Sequence, residues 1–251
     1  MAVVLREGDP ADEIASGVTV SPGSYVLIND RGELLCDVLY SGPGIDDGNS
    51  RARLLWRNST PRVIMRDGDP APGLSPSLTL CDGFVFMGAA AMNRVGDIVG
   101  PTRIAGPGVT TDNNVVLWMW HRVLQRWIPF LRTGDEVQER CVSVPAYVSH
   151  WYSSQTGGGD GRIQSFNDRG MLAIGLSFTD GTDGLYRITP PAFGDADGDG
   201  DVDATDLAVC ESCLRGVDNG VSKDCAAVFD LDEDADMDMA DIAMLQQLAG
   251  P

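Results

Sequence analysis

Met65-Arg66-Asp67-Gly68-Asp69-Pro70-Ala71 is the stretch from which the fold is read, because the chain has already used it once. Leu5-Arg6-Glu7-Gly8-Asp9-Pro10-Ala11 precedes it by 60 residues, and a fainter copy, Leu131-Arg132-Thr133-Gly134-Asp135, follows it by 66. A second signature runs between the copies: Asn29-Asp30-Arg31-Gly32-Glu33-Leu34-Leu35, Asn93-Arg94-Val95-Gly96-Asp97-Ile98-Val99 and Asn167-Asp168-Arg169-Gly170-Met171-Leu172-Ala173. A third is an aromatic strand: Leu54-Leu55-Trp56-Arg57, Val116-Leu117-Trp118-Met119 and Gly184-Leu185-Tyr186-Arg187. Self-similarity at a fixed period marks a repeat architecture.

Three units of roughly 60–75 residues follow from these spacings. Within each, short apolar runs are separated by Asn-Asp-x-Gly, Gly-Asp-Pro and similar turns, the sign of antiparallel strands rather than helices. The expected fold is mainly β: propeller-like antiparallel repeats, about three blade-like units of four strands each. Val3-Val4-Leu5 reads as the last strand of a unit, and Leu185-Tyr186-Arg187 as the strand that should precede it. An N-terminal strand completing the final sheet would hide a sheet edge. Three blades are fewer than the usual ~4–8. Three alternatives stand: a fragment of a longer protein, a homodimer completing one ring, or a smaller barrel-like array.

The 251 residues carry a net charge of −19, with 37 acidic and 18 basic side chains. That argues against nucleic acid and anionic membrane surfaces, both of which require a basic face. No apolar run reaches the ~18–20 residues of a spanning helix, so membrane insertion is not expected. The charge is concentrated. From Phe193 onward, 16 acidic residues face only Arg215 and Lys223, a net of −14, which leaves −5 for everything before. The seam is Thr189-Pro190-Pro191-Ala192, where consecutive prolines stop regular structure. The expected organisation is a β-repeat domain over 1–189, a Pro-rich linker over 190–192 and a small acidic domain over 193–251.

Asp195-Ala-Asp197-Gly-Asp199-Gly200-Asp201-Val202-Asp203-Ala204-Thr205-Asp206 has the spacing of an EF-hand-type loop. Asp195, Asp197 and Asp199 at positions 1, 3 and 5 point inward around a hard cation. Asp201 offers its backbone carbonyl at position 7, Asp203 acts through water, and Asp206 at position 12 closes the site. The pattern returns 35 residues later as Asp230, Asp232, Asp234, Asp236, Asp238 (through water) and Asp241. Ala235 replaces the Gly at position 6, where positive φ strains a residue with a Cβ. A weaker second site is expected. Each loop runs into a helical pattern, Leu207, Cys210, Cys213 and Leu214 after the first, Ile242, Leu245 and Leu248 after the second. Carboxylates this dense repel one another without a cation, so metal binding should drive folding of the tail.

This duplicated loop resembles a type I dockerin, with Asp rather than Glu at position 12. The resemblance implies two bound Ca²⁺, a compact helical module and a cohesin domain as partner. It implies that positions 10 and 11, here Ala204, Thr205, Met239 and Ala240, touch that partner. Cys213 and Cys225 fit the placement of a stapling disulfide in related tails. The upstream repeats resemble those of exported proteins of planctomycete-type bacteria, which implies architecture and export but no activity.

For catalysis, Glu7, Asp9, Asp67, Asp69, Asp135 and Glu136 recur in turns, and a turn cap is the simpler role for them. His121 and His150 lie far apart in the sequence with no metal-ligand spacing, and no Gly-x-Ser-x-Gly elbow is present. Gly157-Gly158-Gly159 reads as a loop. Trp118, Trp120, Trp127, Trp151 and Tyr152 read as sheet core and rim before a sugar-stacking platform. The favoured reading is a non-catalytic extracellular or cell-surface protein attached to a partner by its tail. The rival is a component of polysaccharide breakdown, a glycosidase or carbohydrate-binding subunit. Met1-Ala-Val-Val-Leu-Arg6 lacks the form of a signal peptide and reads as a truncated or misassigned start. Localisation therefore rests on the module type.

Overall fold

The computed structural model describes residues 4–57, 60–81, 90–122, 124–137, 146–152, 165–168, 170–188, 194, 202, 204–214, 229, 231 and 238–248. The chain divides into two compact units, Met1–Trp120 with Arg126–Ile188, and Thr189–Pro251 with His121–Gln125.

The first unit is three antiparallel sheets in chain order. Sheet 1 holds β1 (Asp9–Pro10), β2 (Thr19–Ile28), β3 (Leu34–Ser41), β4 (Arg51–Arg57) and β5 (Thr60–Arg66). Sheet 2 holds β6 (Thr79–Cys81), β7 (Ala91–Met92), β8 (Ile98–Ala105), β9 (Val115–His121) and β10 (Arg126–Arg132). Sheet 3 holds β11 (Glu136–Val137), β12 (Ala146–Tyr152), β13 (Leu172–Phe178) and β14 (Asp183–Ile188). The mainly β, blade-like reading holds. The strand count differs: sheets 1 and 2 each carry a fifth strand beyond the four expected.

The repeated motifs are the turns that join these strands. Gly8, Gly68 and Gly134 sit at φ 85°, 86° and 86°, a region that only glycine enters without strain. Asp9 and Asp135 cap those turns, accepting the backbone N–H of Arg6 at 2.8 Å and of Arg132 at 2.7 Å. The Asn turns are built alike. Asn29 Oδ1 accepts from the backbone of Arg31 and Glu33, Asn93 Oδ1 from Gly96 and Asp97, and Asn167 Oδ1 from Met171. These turns also interlock. Asn29 Nδ2 donates to the Asn93 carbonyl at 3.4 Å, and Asn93 Nδ2 donates to the Asn167 carbonyl at 3.1 Å. Arg94 Nε stands 3.0 Å from Asp30 and 3.8 Å from Asp168.

Alternation then sorts the side chains. Leu35 and Leu55 on one face of sheet 1, with Ile64 and Met65, join Met92, Ile98, Ile104, Trp118, Trp120 and Trp127 in one core. The opposite face of sheet 1 gathers Val20, Cys36, Val38, Tyr40, Leu54 and Trp56, against which Leu5 packs. Burial of such side chains contributes about 1.5–3 kcal/mol each, the main force holding the blades together.

Two expectations need correction. The aromatic strands align two residues away from the sequence match: Trp56 pairs with Leu34, Trp120 with Ile98 and Ile188 with Leu172. Counted from the Asn turns, Trp120 and Ile188 are therefore the counterparts of Trp56. A two-residue slip keeps side chains on the same face, which is why the aromatic match was misleading. The N-terminal closing strand is also not found. Residues 1–3 lie outside the described residues, Val4 and Leu5 form no strand, and among the described residues β14 pairs with β13 alone.

Candidate calcium and docking module

The second unit contributes two helices, α1 (Ala204–Leu214) and α2 (Met239–Leu248). Each starts at the end of an acidic loop. Its buried stripe comes from the pattern read in the sequence: Cys210 and Leu245 are buried, together with Phe229 and Leu231. Phe229 and Leu231 flank the first ligand of the second loop and were missed, because a single apolar residue on either side of an Asp shows no period.

The position-12 aspartates are the best-defined members of the candidate site. Asp206 and Asp241 are buried at the first turns of α1 and α2. Asp241 accepts the Leu231 N–H at 2.6 Å through Oδ1 and the Asp238 N–H at 2.8 Å through Oδ2. Asp238 Oδ1 in turn accepts the Ala240 N–H at 2.6 Å. Asp238 is thus the N-cap of α2, and Asp241, three residues on, reaches back to it as in a capping box. Position 9 therefore holds the helix start, and only one of its carboxylate oxygens is used in doing so.

Asp195, Asp197, Asp199, Asp201, Asp203, Asp230, Asp232, Asp234 and Asp236 lie outside the described residues. Ala235 and Cys225 do too, and nothing is described of the Cys213 side chain. Among the described residues, no cluster of three or more candidate metal ligands occurs. The residues present nonetheless suit calcium. The donors are all hard oxygens, and the two loops each place one buried carboxylate at the same point.

Ala204, Thr205, Met239 and Ala240 are exposed, as are Ala208, Val209 and Ala243 one turn further on. Both helices therefore offer a small, uncharged surface at the N-terminal end. Cys210 is a free thiol. Burial pushes its pKa up, and the charges of Asp241 and Glu211 add to that. A raised pKa disfavours the thiolate that redox chemistry needs.

Nothing is described of the His150, Trp151 and Tyr152 side chains, and Gly157-Gly158-Gly159 lies outside the described residues; the remaining aromatic and histidine candidates have structural places. Trp118, Trp120 and Trp127 are core residues, with Trp120 and Trp127 edge to face at 5.6 Å. Trp118 Nε1 donates to Thr102 and Trp127 Nε1 to the Ile64 carbonyl. Burial leaves these three no face for sugar stacking. His121 Nδ1 accepts the Leu124 N–H in the β9–β10 turn.

A family model described as dockerin type I domain matches residues 193–248. Such modules bind calcium and cohesin domains and typically occur in extracellular or cell-surface proteins. A second model, described as a family of unknown function (DUF7453), matches residues 1–188. Neither the curated proteins nor the solved structures yield a match. By the greater part of its length the chain belongs to the DUF7453 family, and it carries a type I dockerin domain behind that region.

Proposed function

We propose that this is an extracellular calcium-binding protein whose dockerin module attaches a non-catalytic β-repeat domain to a cohesin-bearing partner. The repeat domain comprises 1–189, the linker 190–192 and the module 193–251. The observation that supports it best is the equivalence of Asp206 and Asp241, both buried at the same point of two repeated loops. Two Ca²⁺ are held, one by Asp195, Asp197, Asp199, Asp201 and Asp206, the other by Asp230, Asp232, Asp234, Asp236 and Asp241. Asp203 and Asp238 act through water. The ions neutralise part of the −14 charge and let α1 and α2 pack. Ala204, Thr205, Met239 and Ala240 then meet the partner, and a Cys213–Cys225 disulfide staples the module.

Immobilised full-length protein tests the reading. A cohesin domain should be retained with calcium and released by EGTA. The double substitution of Asp206 and Asp241 to Ala should abolish retention. Retention unchanged by EGTA contradicts the reading.

A further inference from the structure

We propose that the β-repeat domain pairs head to tail with a second copy of this chain, the sheet 1 end of one copy receiving the sheet 3 end of the other. The argument comes from repeat counterparts. Ala90 and Met92 precede the Asn93 turn as Val26 and Ile28 precede the Asn29 turn, and Ile64 precedes Gly68 as Val4 precedes Gly8. Ala90, Met92 and Ile64 lie in the core between sheets 1 and 2 and are 7%, 6% and 8% exposed. Among the described residues no sheet covers Val26, Ile28 and Val4, which are 53%, 63% and 52% exposed. The same positions are apolar in both repeats. They are covered in one and bare in the other.

The opposite end is complementary. Leu185 on β14 is the counterpart of the buried Arg53, yet it is 83% exposed. The strands equivalent to β14 are β4 and β9, and each carries a further strand, β5 and β10. Those fifth strands lead straight into the next Gly-Asp turn, the place that Val4 and Leu5 hold before Gly8. Leu5 already packs on the outer face of sheet 1, as Met65 packs in the core that sheet 2 shares with sheet 1. The N-terminal segment is therefore set as the fifth strand of a sheet that precedes sheet 1. Among the described residues, sheet 3 carries no such strand. The register Arg53↔Met65 places Leu5 of one copy opposite Leu185 of the other.

The interlocking Asn turns run in the same sense. The carbonyls of Asn93 and Asn167 each accept from the preceding turn, whereas among the described residues the Asn29 carbonyl accepts only from Gly32 in its own turn. Both ends are bare in one chain at once, so they do not satisfy each other in cis. Two chains of three sheets give a six-sheet ring, within the ~4–8 blades of closed propellers, with the two-fold symmetry commonest in oligomers. The closure brings Asp168 of one copy towards Asp30 of the other. Salt screens that repulsion and should strengthen the pairing.

Sedimentation equilibrium of the full chain in EGTA, which removes calcium-dependent pairing of the tail, reads the mass. The expected value is twice 26.8 kDa, with Ile28→Asp reducing it to the single-chain mass at unchanged circular dichroism. A Leu5→Cys, Leu185→Cys double variant tests the same contact with Ile28 intact. Mild oxidation should give a reducible covalent dimer that neither single variant gives. A single-chain mass at all concentrations, a cross-link formed within one chain, or growth beyond the dimer would each overturn the proposal.

Discussion

Asp37 and Arg53 stand directly opposite each other on β3 and β4, joined by two charge-assisted hydrogen bonds of 2.7 and 3.2 Å. Both side chains are almost wholly withdrawn from water, and Gly100 of sheet 2 lies against the guanidinium, where a Cβ would come within 2.9 Å of Nη1. The pair seals the sheet 1–sheet 2 contact. Asp37→Ala takes the carboxylate away from a buried guanidinium and should cost about 3–5 kcal/mol in urea unfolding. Replacing both residues, Asp37→Leu with Arg53→Met, should cost clearly less than that single change. Equal losses would show that packing rather than charge dominates.

Asn93 is the most heavily used turn residue. Its side chain is buried and bonds the backbone of Gly96 and Asp97, the Asp97 carboxylate and the Asn167 carbonyl. Asn93→Ala should destabilise the repeat domain by about 3 kcal/mol, since buried partners lose their bonds at roughly 1–3 kcal/mol each. Asn29→Ala, at a more exposed turn, should cost less. The order is read from urea midpoints.

Burial pushes the Cys36 thiol from 9.0 up to about 12, with the neighbouring Asp37 charge adding and Arg53 opposing. A raised folded pKa means that the neutral thiol is favoured by folding. Its contribution is full below pH 9.0 and is lost as pH rises towards about 12. Tyr40, raised by burial and by Glu13, acts in the same direction. The urea midpoint should fall across this window, and Cys36→Ala should flatten the fall. Cys36 should also resist thiol reagents at pH 8 until the protein unfolds.

Asp238 caps α2 through the Ala240 N–H. Asp238→Ala should remove about 1 kcal/mol of helix stability, seen as reduced ellipticity and a lowered melting temperature of the tail. Asp238→Asn keeps the acceptor and should restore most of it. Failure of Asn to rescue would mean that the carboxylate charge matters more than the cap.

The turns were legible in the sequence because each needs particular chemistry: glycine at positive φ in Gly8, Gly68 and Gly134, and an amide side chain in Asn29, Asn93 and Asn167. The calcium-loop spacing was legible for the same reason, with oxygen donors fixed at set intervals. The Asp37–Arg53 pair was not, because repeats two and three hold Pro101 and Leu117, Gly175 and Leu185 at those places. Only the strand register, set over the whole sheet, brings the two together. The two-residue strand β1 was hidden too, since Asp9-Pro10 carries no apolar run to announce it. Asp238 read as a metal ligand alone, because capping depends on where the helix starts.

Calorimetric titration of calcium into the chelator-stripped full chain bears most directly on the dockerin reading. Two ions per chain should bind with measurable heat, helical ellipticity should rise in step, and Asp241→Ala should leave one. No heat of binding, with ellipticity unchanged by calcium, would contradict the account.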